Sequence, residues 1–546
     1  MNGSALPAAA GRTPGSAAAV PMRRAGSLPA WWPLVALTVL AAALRLTTLG
    51  SQSFWYDEAF TPVHVLRASL GATLHNVVHT ENSPPLWYVL EWGVSRALGT
   101  GVVSLRLLSA LAGIATVPVA WAIGCELQGP PTRRTANVAA ALVACSPLLV
   151  WYSQEARAYG LFVLLASLAL LCFVRALQRP STRRLAAFGL TASLALLTHY
   201  FAVFLLIPMM LWLACSAISR GRENDRGESP ARAWGTAKTK CDGEPGDLAT
   251  QERTANPNNP MGVLVALMPP VLVGAALVPL ILAQGGHGTQ WIGRWALISR
   301  LEAIPQYYLT GYTGASLGHS VELLVLVVIL AGIGYGLWRT LEPREERGAL
   351  IALTVAVGGT LIPVALAVLG ADYLAPRNLV AATVPLSALL AIVIAARRTG
   401  RLGIGFATLL VLGFLALTVD VDLSPRLQRG DWAGVASALR AAPPGHVVTT
   451  VELGAAPLEY YLPPLRNMPR GSRVAVTEVD ETGYAPLRRS AAHSPAPGFR
   501  LAERRDIHGL ILFRFTSRAP LTISERVLRE HVIARAHPEV LVTGSP

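Results

Sequence analysis

Apolar windows of about 18 residues or more recur along the chain, at 31–49, 102–124, 136–152, 160–177, 185–199, 201–218, 262–283, 319–338, 349–369, 378–396 and 402–420. The core of a bilayer offers no partner to a free backbone N–H or C=O, and a helix satisfies all of its own, so such windows read as membrane-crossing helices. They predict an α-helical polytopic membrane protein with about eleven transmembrane helices. Composition agrees, with 52% hydrophobic and only 14% charged residues. A net charge of +14 would suggest nucleic acid in a soluble chain. Here it is the positive charge that cytoplasmic loops collect, so the expected partner is a lipid bilayer and no nucleic acid is expected.

The Arg/Lys bias orients the chain. With the N-terminus in the cytoplasm, Arg133/Arg134, Arg175/Arg179/Arg183/Arg184, Arg339/Arg344/Arg347 and Arg397/Arg398/Arg401 all fall in inner loops. Residues 1–30, rich in Ala, Gly, Pro and Ser, read as a disordered cytoplasmic tail, and 31–49 as an uncleaved signal anchor of a cell (inner) membrane protein. The polar insert 219–260 reads as a disordered cytoplasmic loop within a transmembrane domain spanning 31–420. After residue 420 the pattern changes. HVVTTVEL, RVAVTEV and GLILFRF alternate as strands do, while Asp431 and Ser524 are placed to cap helices. Residues 421–546 therefore predict a small α/β extracytoplasmic domain. Five cysteines, odd in number and without a CxxC pair, indicate neither a disulfide framework nor a zinc site.

In this orientation every unusual polar cluster near the membrane lands on the outer side. Loop 50–101 holds WYDEAF and HTENSPPLWYVLEW, the next outer turn holds SPLLVWYSQEARAYG, and the one after holds THY. Loop 284–318 and the segment ADYLAPRN complete the set. Loop 50–101 is too long for a connector, and its amphipathic stretches 59–70 and 85–97 read as helices lying along the interface.

Each residue has a plain reading beside a functional one. Asp57 and Glu58 on position alone are solvated carboxylates favoured by the N-terminus of the helix that starts near 59. Ionisable groups at membrane depth are costly, however, and a general base or an acid–metal site is the alternative. Glu81 means nothing as a lone loop acid, but it shares the loop with Asp57. Glu155 and Tyr159 lie four apart and share a face if helical. Arg157 near Glu155 is most simply a surface ion pair of little energetic worth. His199 is most simply structural, with Tyr200 beside it, and Arg377 a headgroup anchor. Together, Arg157, Arg377 and His199 suit a phosphate. Arg45 and Arg106 either snorkel outward or pair with the first-loop acids. Trp291, Trp295, Tyr307 and Tyr308 in loop 284–318 are placed to stack on sugar rings. No Walker A, GxSxG or HExxH pattern occurs, so nothing suggests nucleotide chemistry.

Taken in order, WYDEAFT, ENSPPLWYVL, RLLSALAG, SPLLVWYSQEARAYGL, THY and DYLAPRNL resemble the GT-C membrane glycosyltransferases. Within them the likeness is to the family 39 type, which groups protein O-mannosyltransferase-like, aminoarabinose transferase-like and bacterial mannosyltransferase-like enzymes. It covers roughly residues 30–420. The resemblance implies a polyprenyl-phosphate-linked sugar donor, a glycan, lipid or protein acceptor, and inverting transfer on the extracytoplasmic side. It implies Asp57 as catalytic base with Glu58 its neighbour, and Glu155 as a further acid lining the site. It leaves room for a divalent metal, with Asp57 and Glu81 as candidate ligands, and for no other cofactor. Where eukaryotic relatives have a His before the Pro pair of the first loop, this chain has Ser83. Three other readings stay open: a ligase or polymerase using a lipid-diphosphate donor, a non-catalytic envelope assembly protein, and a lipid-sugar transporter.

Overall fold

The computed structural model describes residues 31–543, except 129–132, 226–259, 288–289, 312–317, 441–445, 452, 464, 485–492 and 532–537. The expected tail 1–30 lies outside these residues, as does most of the polar insert. The first bundle helices are α1 (Trp32–Leu46), then three short ones in the first loop, α2 (Tyr56–Phe60), α3 (Leu70–Thr80) and α4 (Leu86–Leu98). There follow α5 (Val102–Gln128), α6 (Arg134–Cys145), α7 (Pro147–Ser153), α8 (Tyr159–Gln178), α9 (Thr182–Thr198) and α10 (Ala202–Asp225). The second part holds α11 (Pro260–Gln284), α12 (Gln290–Arg294), α13 (Leu297–Thr310), α14 (His319–Arg339), α15 (Pro343–Val368), α16 (Thr383–Ile394) and α17 (Gly400–Leu423). Among the described residues, eight helices are long and apolar enough to cross a membrane, or nine with α6 and α7 taken as one span bent by 56°. The remaining expected spans are the shorter helices α1 and α9.

The centre of the bundle is α8 and α16, buried along nearly their whole length. Outer helices keep an apolar face uncovered: Leu282, Trp338 and Leu402 are exposed on α11, α14 and α17, as a lipid-facing surface requires. Small residues let the central helices close up. A side chain on Gly160 would stand 2.7 Å from the Ser109 carbonyl oxygen, and that contact brings the start of α8 onto α5.

Three local expectations need correction. Residues 59–70 are not one helix: α2 runs into a π-helical turn at Thr61–Val65, and α3 starts separately with Ser69 accepting a hydrogen bond from Ala72 N–H. The turn 154–158 is not helical, so Glu155 and Tyr159 share no helix face. The first residues of the insert 219–260 continue α10 as far as Asp225.

Beyond α17 a six-stranded sheet forms from β1 (Val447–Thr450), β2 (Leu465–Asn467), β3 (Arg473–Tyr484), β4 (Arg500–Ile507), β5 (Leu510–Ser524) and β6 (Glu539–Thr543), in the order β2-β6-β1-β3-β5-β4. Only β1 and β3 run parallel. Helices α18 (Trp432–Leu439) and α19 (Ala455–Tyr461) cover one face, and α20 (Glu525–Glu530) leads into β6. Asp431 and Ser524 cap α18 and α20 as their sequence positions suggested, accepting hydrogen bonds from Gly434 N–H and Val527 N–H.

Buried acids interrupt both apolar faces of this sheet, Asp480 on the face under α18 and α19 and Glu481 on the other. Glu481 stands opposite Thr449 of β1 and Phe513 of β5 and contacts His531. Burial pushes its carboxyl up to about 7, with His531 opposing. The folded domain therefore holds this proton more tightly than the unfolded chain, whose Glu titrates near ~4.3. The sign follows: this stability is complete below the unfolded value and is lost as pH rises toward 7. Glu481→Gln is expected to flatten the decline of thermal stability between about pH 5 and pH 7. An unchanged slope in pH-resolved melting curves would refute that assignment.

Candidate active site

Asp57 and Glu58 are neighbours in the first turn of α2, so their side chains leave the helix about 100° apart. They enter different surroundings. Glu58 turns inward and is fully buried. Arg106 Nε and Nη2 each donate to one of its carboxylate oxygens at 2.7 Å, and Ala156 N–H donates at 2.9 Å. The same guanidinium donates to the carbonyls of Leu49, Gln52 and Ser53 at 2.9, 2.9 and 3.2 Å. One arginine inside the first half of α5 thus shapes the whole entry to the loop. Burial alone would raise the Glu58 carboxyl, but Arg106, Arg429 and these hydrogen bonds outweigh it and hold it below the usual range. Neither acid caps α2, whose N-cap Trp55 makes no side-chain capping bond. Glu58 does not line the cavity.

Asp57 turns the other way. Its Oδ2 accepts from Arg377 Nη1 at 2.7 Å, and Oδ1 makes no hydrogen bond among the described residues. Arg377 comes from a 3-10 turn at Pro376–Ala382 that leads into α16. The second arginine of the pair, Arg157, does not turn its guanidinium to the Glu155 carboxylate; only its backbone N–H donates to the Glu155 carbonyl, at 2.8 Å. It meets Glu81 with two hydrogen bonds of 3.1 and 3.0 Å, and also donates to the Asp57 carbonyl at 3.3 Å. The turn that carries it is fixed by Ser109, whose hydroxyl donates to the Arg157 carbonyl at 2.9 Å, beside the close approach at Gly160.

Glu155 is buried behind this layer, where Arg429 reaches it. Arg429 Nη2 donates to Glu155 Oε2 at 3.2 Å, its Nε stands 3.6 Å from Glu58 Oε2, and its guanidinium lies 4.1 Å from the centre of the Trp151 ring. Its backbone N–H donates to Gln52 Oε1 at 3.1 Å. Burial holds the Glu155 carboxyl above the usual range, with Arg429 opposing and the charges of Glu58 and Asp57 adding to the rise.

Two cavities meet at the arginines. The first, of about 610 Å³, is lined by Trp55, Tyr56, Asp57, Glu81, Arg294, Trp295, Tyr307 and, from the C-terminal domain, Leu453 and Glu539. The second, of about 360 Å³, is mostly apolar and runs between α10 and α11, with Val203, Phe204, Leu277 and Ile281 in its walls. Arg157, Arg377 and Asn82 line both. His199 and Tyr159 belong to the second cavity. The His199 ring stacks on Phe162 at 4.7 Å, and its Nδ1 accepts from Phe201 N–H at 3.2 Å, which leaves Nε2 to carry the proton. Tyr200 lines the same cavity and donates to Gln284 at 2.7 Å. Tyr308 points elsewhere, into contacts with Thr360 and the Leu379 carbonyl. Trp291 lies in α12, and its side chain is outside the described residues. Arg45 neither snorkels nor meets an acid. It is buried, donating to the Val143 and Ala144 carbonyls at 3.2 and 2.9 Å, where α6 breaks into α7.

The family described as dolichyl-phosphate-mannose-protein mannosyltransferase matches residues 82–225, a stretch that holds Arg157, Glu155 and His199. No curated protein matches the chain. Among solved structures, apo ArnT from Cupriavidus metallidurans is 13% identical with a TM-score of 0.53, over 88% of this chain and 97% of that one. ArnT from the same organism bound to undecaprenyl phosphate is 14% identical with a TM-score of 0.50, over 89% and 98%. The fold is that of the GT-C membrane glycosyltransferases.

Within this GT-C fold the site draws on residues far apart in the chain, and two of them carried no sequence signal. Arg429 sits in the polar linker SPRLQRGD, and Glu539 begins a short strand near the C-terminus. The room that the GT-C resemblance left for a divalent ion is tested by the donor set. Asp57 and Glu81 are each committed to an arginine. Among the described residues no three His, Cys, Asp or Glu side chains converge as metal ligands would. These residues do not fit a resident metal.

Proposed function

We propose that this chain transfers a sugar from a polyprenyl-phosphate donor to an acceptor hydroxyl with inversion, and that Asp57 is the general base. One observation carries the reading: Arg157 and Arg377 stand where an apolar groove between two membrane helices opens into a polar chamber that holds Asp57. A lipid-linked sugar phosphate has the same order of parts. Its isoprenoid chain suits the groove, its phosphate the arginines, and its sugar the chamber. The bound undecaprenyl phosphate of the ArnT structure supports this assignment.

The step balances without a cofactor. The acceptor oxygen bonds to the anomeric carbon, the bond from that carbon to the phosphate oxygen breaks, and the hydroxyl proton passes to Asp57. Attack opposite the departing group inverts the centre. The phosphate gains charge as it leaves, and the two guanidiniums stabilise that charge. His199, with its proton on Nε2, adds a neutral donor on the groove side. In the resting protein each arginine is held by an acid, Arg377 by Asp57 and Arg157 by Glu81. An arriving phosphate competes for both, which loosens Asp57 at the moment a base is needed. The transmembrane part 31–420 is the catalytic domain in this reading. The site faces the extracytoplasmic side of the cell membrane, with the N-terminus in the cytoplasm.

Reconstituted protein offered a panel of polyprenyl-phosphate sugars is expected to consume at least one of them. Arg377→Ala is expected to raise the donor KM roughly ten- to a hundredfold, the range for losing a charge-assisted hydrogen bond. A folded protein that consumes no such donor would overturn the reading.

A further inference from the structure

We propose that the C-terminal domain builds the acceptor half of the chamber, and that Glu539 binds paired hydroxyls of a carbohydrate acceptor. The inference rests on the transferase reading and names the substrate class for the same chamber. Glu539, the first residue of β6, and Leu453, just after β1, both line the chamber that holds Asp57. Glu539 is fixed from behind, its Oε2 accepting from Ala455 N–H at 2.9 Å.

The domain that presents it is pinned to the catalytic loop through α19. The Phe54 N–H donates to Tyr461 Oη at 2.8 Å, Tyr460 Oη donates to the Thr100 carbonyl at 2.8 Å, and Glu459 stands 3.4 Å from His64. Ala456 packs in one apolar cluster with Phe54 and Ala59. Phe54 is three residues from Asp57, so the base and Glu539 belong to one packed unit across the chamber.

The lining selects the chemistry. A sugar ring offers an apolar C–H face and a rim of adjacent hydroxyls. Trp55, Tyr56, Phe60, Trp295 and Tyr307 supply flat apolar surface, and a carboxylate accepts from two neighbouring hydroxyls at once. A polypeptide acceptor is less well served. Extended peptides are commonly taken up on a free strand edge, but β6 is paired on both sides, by β2 and by β1. The chamber's 610 Å³ is the scale of a small-ligand site.

The test uses the full-length reconstituted protein and the polyprenyl-phosphate sugar it consumes. Acceptor probes are methyl glycosides, short oligosaccharides and a serine/threonine peptide. Transfer to a glycoside or oligosaccharide is expected. Glu539→Ala should raise the acceptor KM on the order of tenfold while the donor KM stays within about twofold. Glu539→Gln keeps an oxygen for Ala455 N–H and should raise the acceptor KM less. A merely structural role would instead move melting temperature and both KM values together. Leu453→Trp, at a side chain 44% exposed, narrows the chamber and should shift preference toward single-ring acceptors. Transfer to the peptide alone, or an acceptor KM unchanged in all three variants, overturns this inference and leaves the transferase reading standing. A wild type that consumes no donor overturns both.

Discussion

Asp57→Asn is expected to lower the transfer rate by about 10²–10⁴, the usual contribution of a positioned base. The substitution is nearly isosteric, and its amide oxygen still accepts from Arg377, so the pair that holds α2 against the turn before α16 survives in shape. What disappears is the capacity to take a proton from the attacking hydroxyl. The loss should therefore sit in kcat, with donor KM unchanged or lowered and the melting temperature near wild type. Single-turnover transfer at saturating donor measures it directly. Full activity in the variant would remove Asp57 from the mechanism and leave the arginine junction as a binding feature only.

Arg106→Met is expected to cost stability, at about 3–5 kcal/mol, the range for breaking a buried ion pair from one side. Glu58 would be left fully buried with its principal cation gone, and the carbonyls of Leu49, Gln52 and Ser53 would lose their donor. Combining Arg106→Met with Glu58→Gln removes the stranded charge and should recover part of the loss, as a double-mutant comparison of denaturation midpoints would show. Asp57 and Glu58 thus make opposite predictions. If Glu58→Gln alone abolished turnover while the protein folded normally, the division of labour drawn between them would be wrong.

How much of this was legible in the sequence follows physical range. Membrane spans announce themselves because the bilayer imposes a length and a composition on each segment independently. The caps Asp431 and Ser524 were legible because a cap acts within three residues. The gathering of Asp57, Glu81, Arg157 and Arg377 followed from topology, since alternating spans return every second loop to one side. Pairing within that gathering did not follow. Arg157 stands two residues from Glu155 yet bonds Glu81, 76 residues away, because a break in the helix redirects both side chains. Glu58 looked equivalent to Asp57, and only the packing of α2 on α5 separates them. Arg429 and Glu539 reach the site through the docking of a second domain, which leaves no local pattern. Strands β2, β4 and β6 were also missed, β2 and β6 being too short and β4 too polar to alternate.

The seat of Arg429 has a consequence in time as well as in space. Glu58 and Glu155 are made early in synthesis, and the cation that bridges them is encoded some 270 positions after Glu155, past the last membrane span. Until the ribosome has delivered that stretch, Glu155 lacks its cation, while Glu58 already has Arg106. A nascent chain or a truncated product ending at Leu423 would hold Asp57, Arg157 and Arg377 without Arg429. The order of manufacture thereby leaves the seat between Glu58 and Glu155 unfilled until Arg429 has been made.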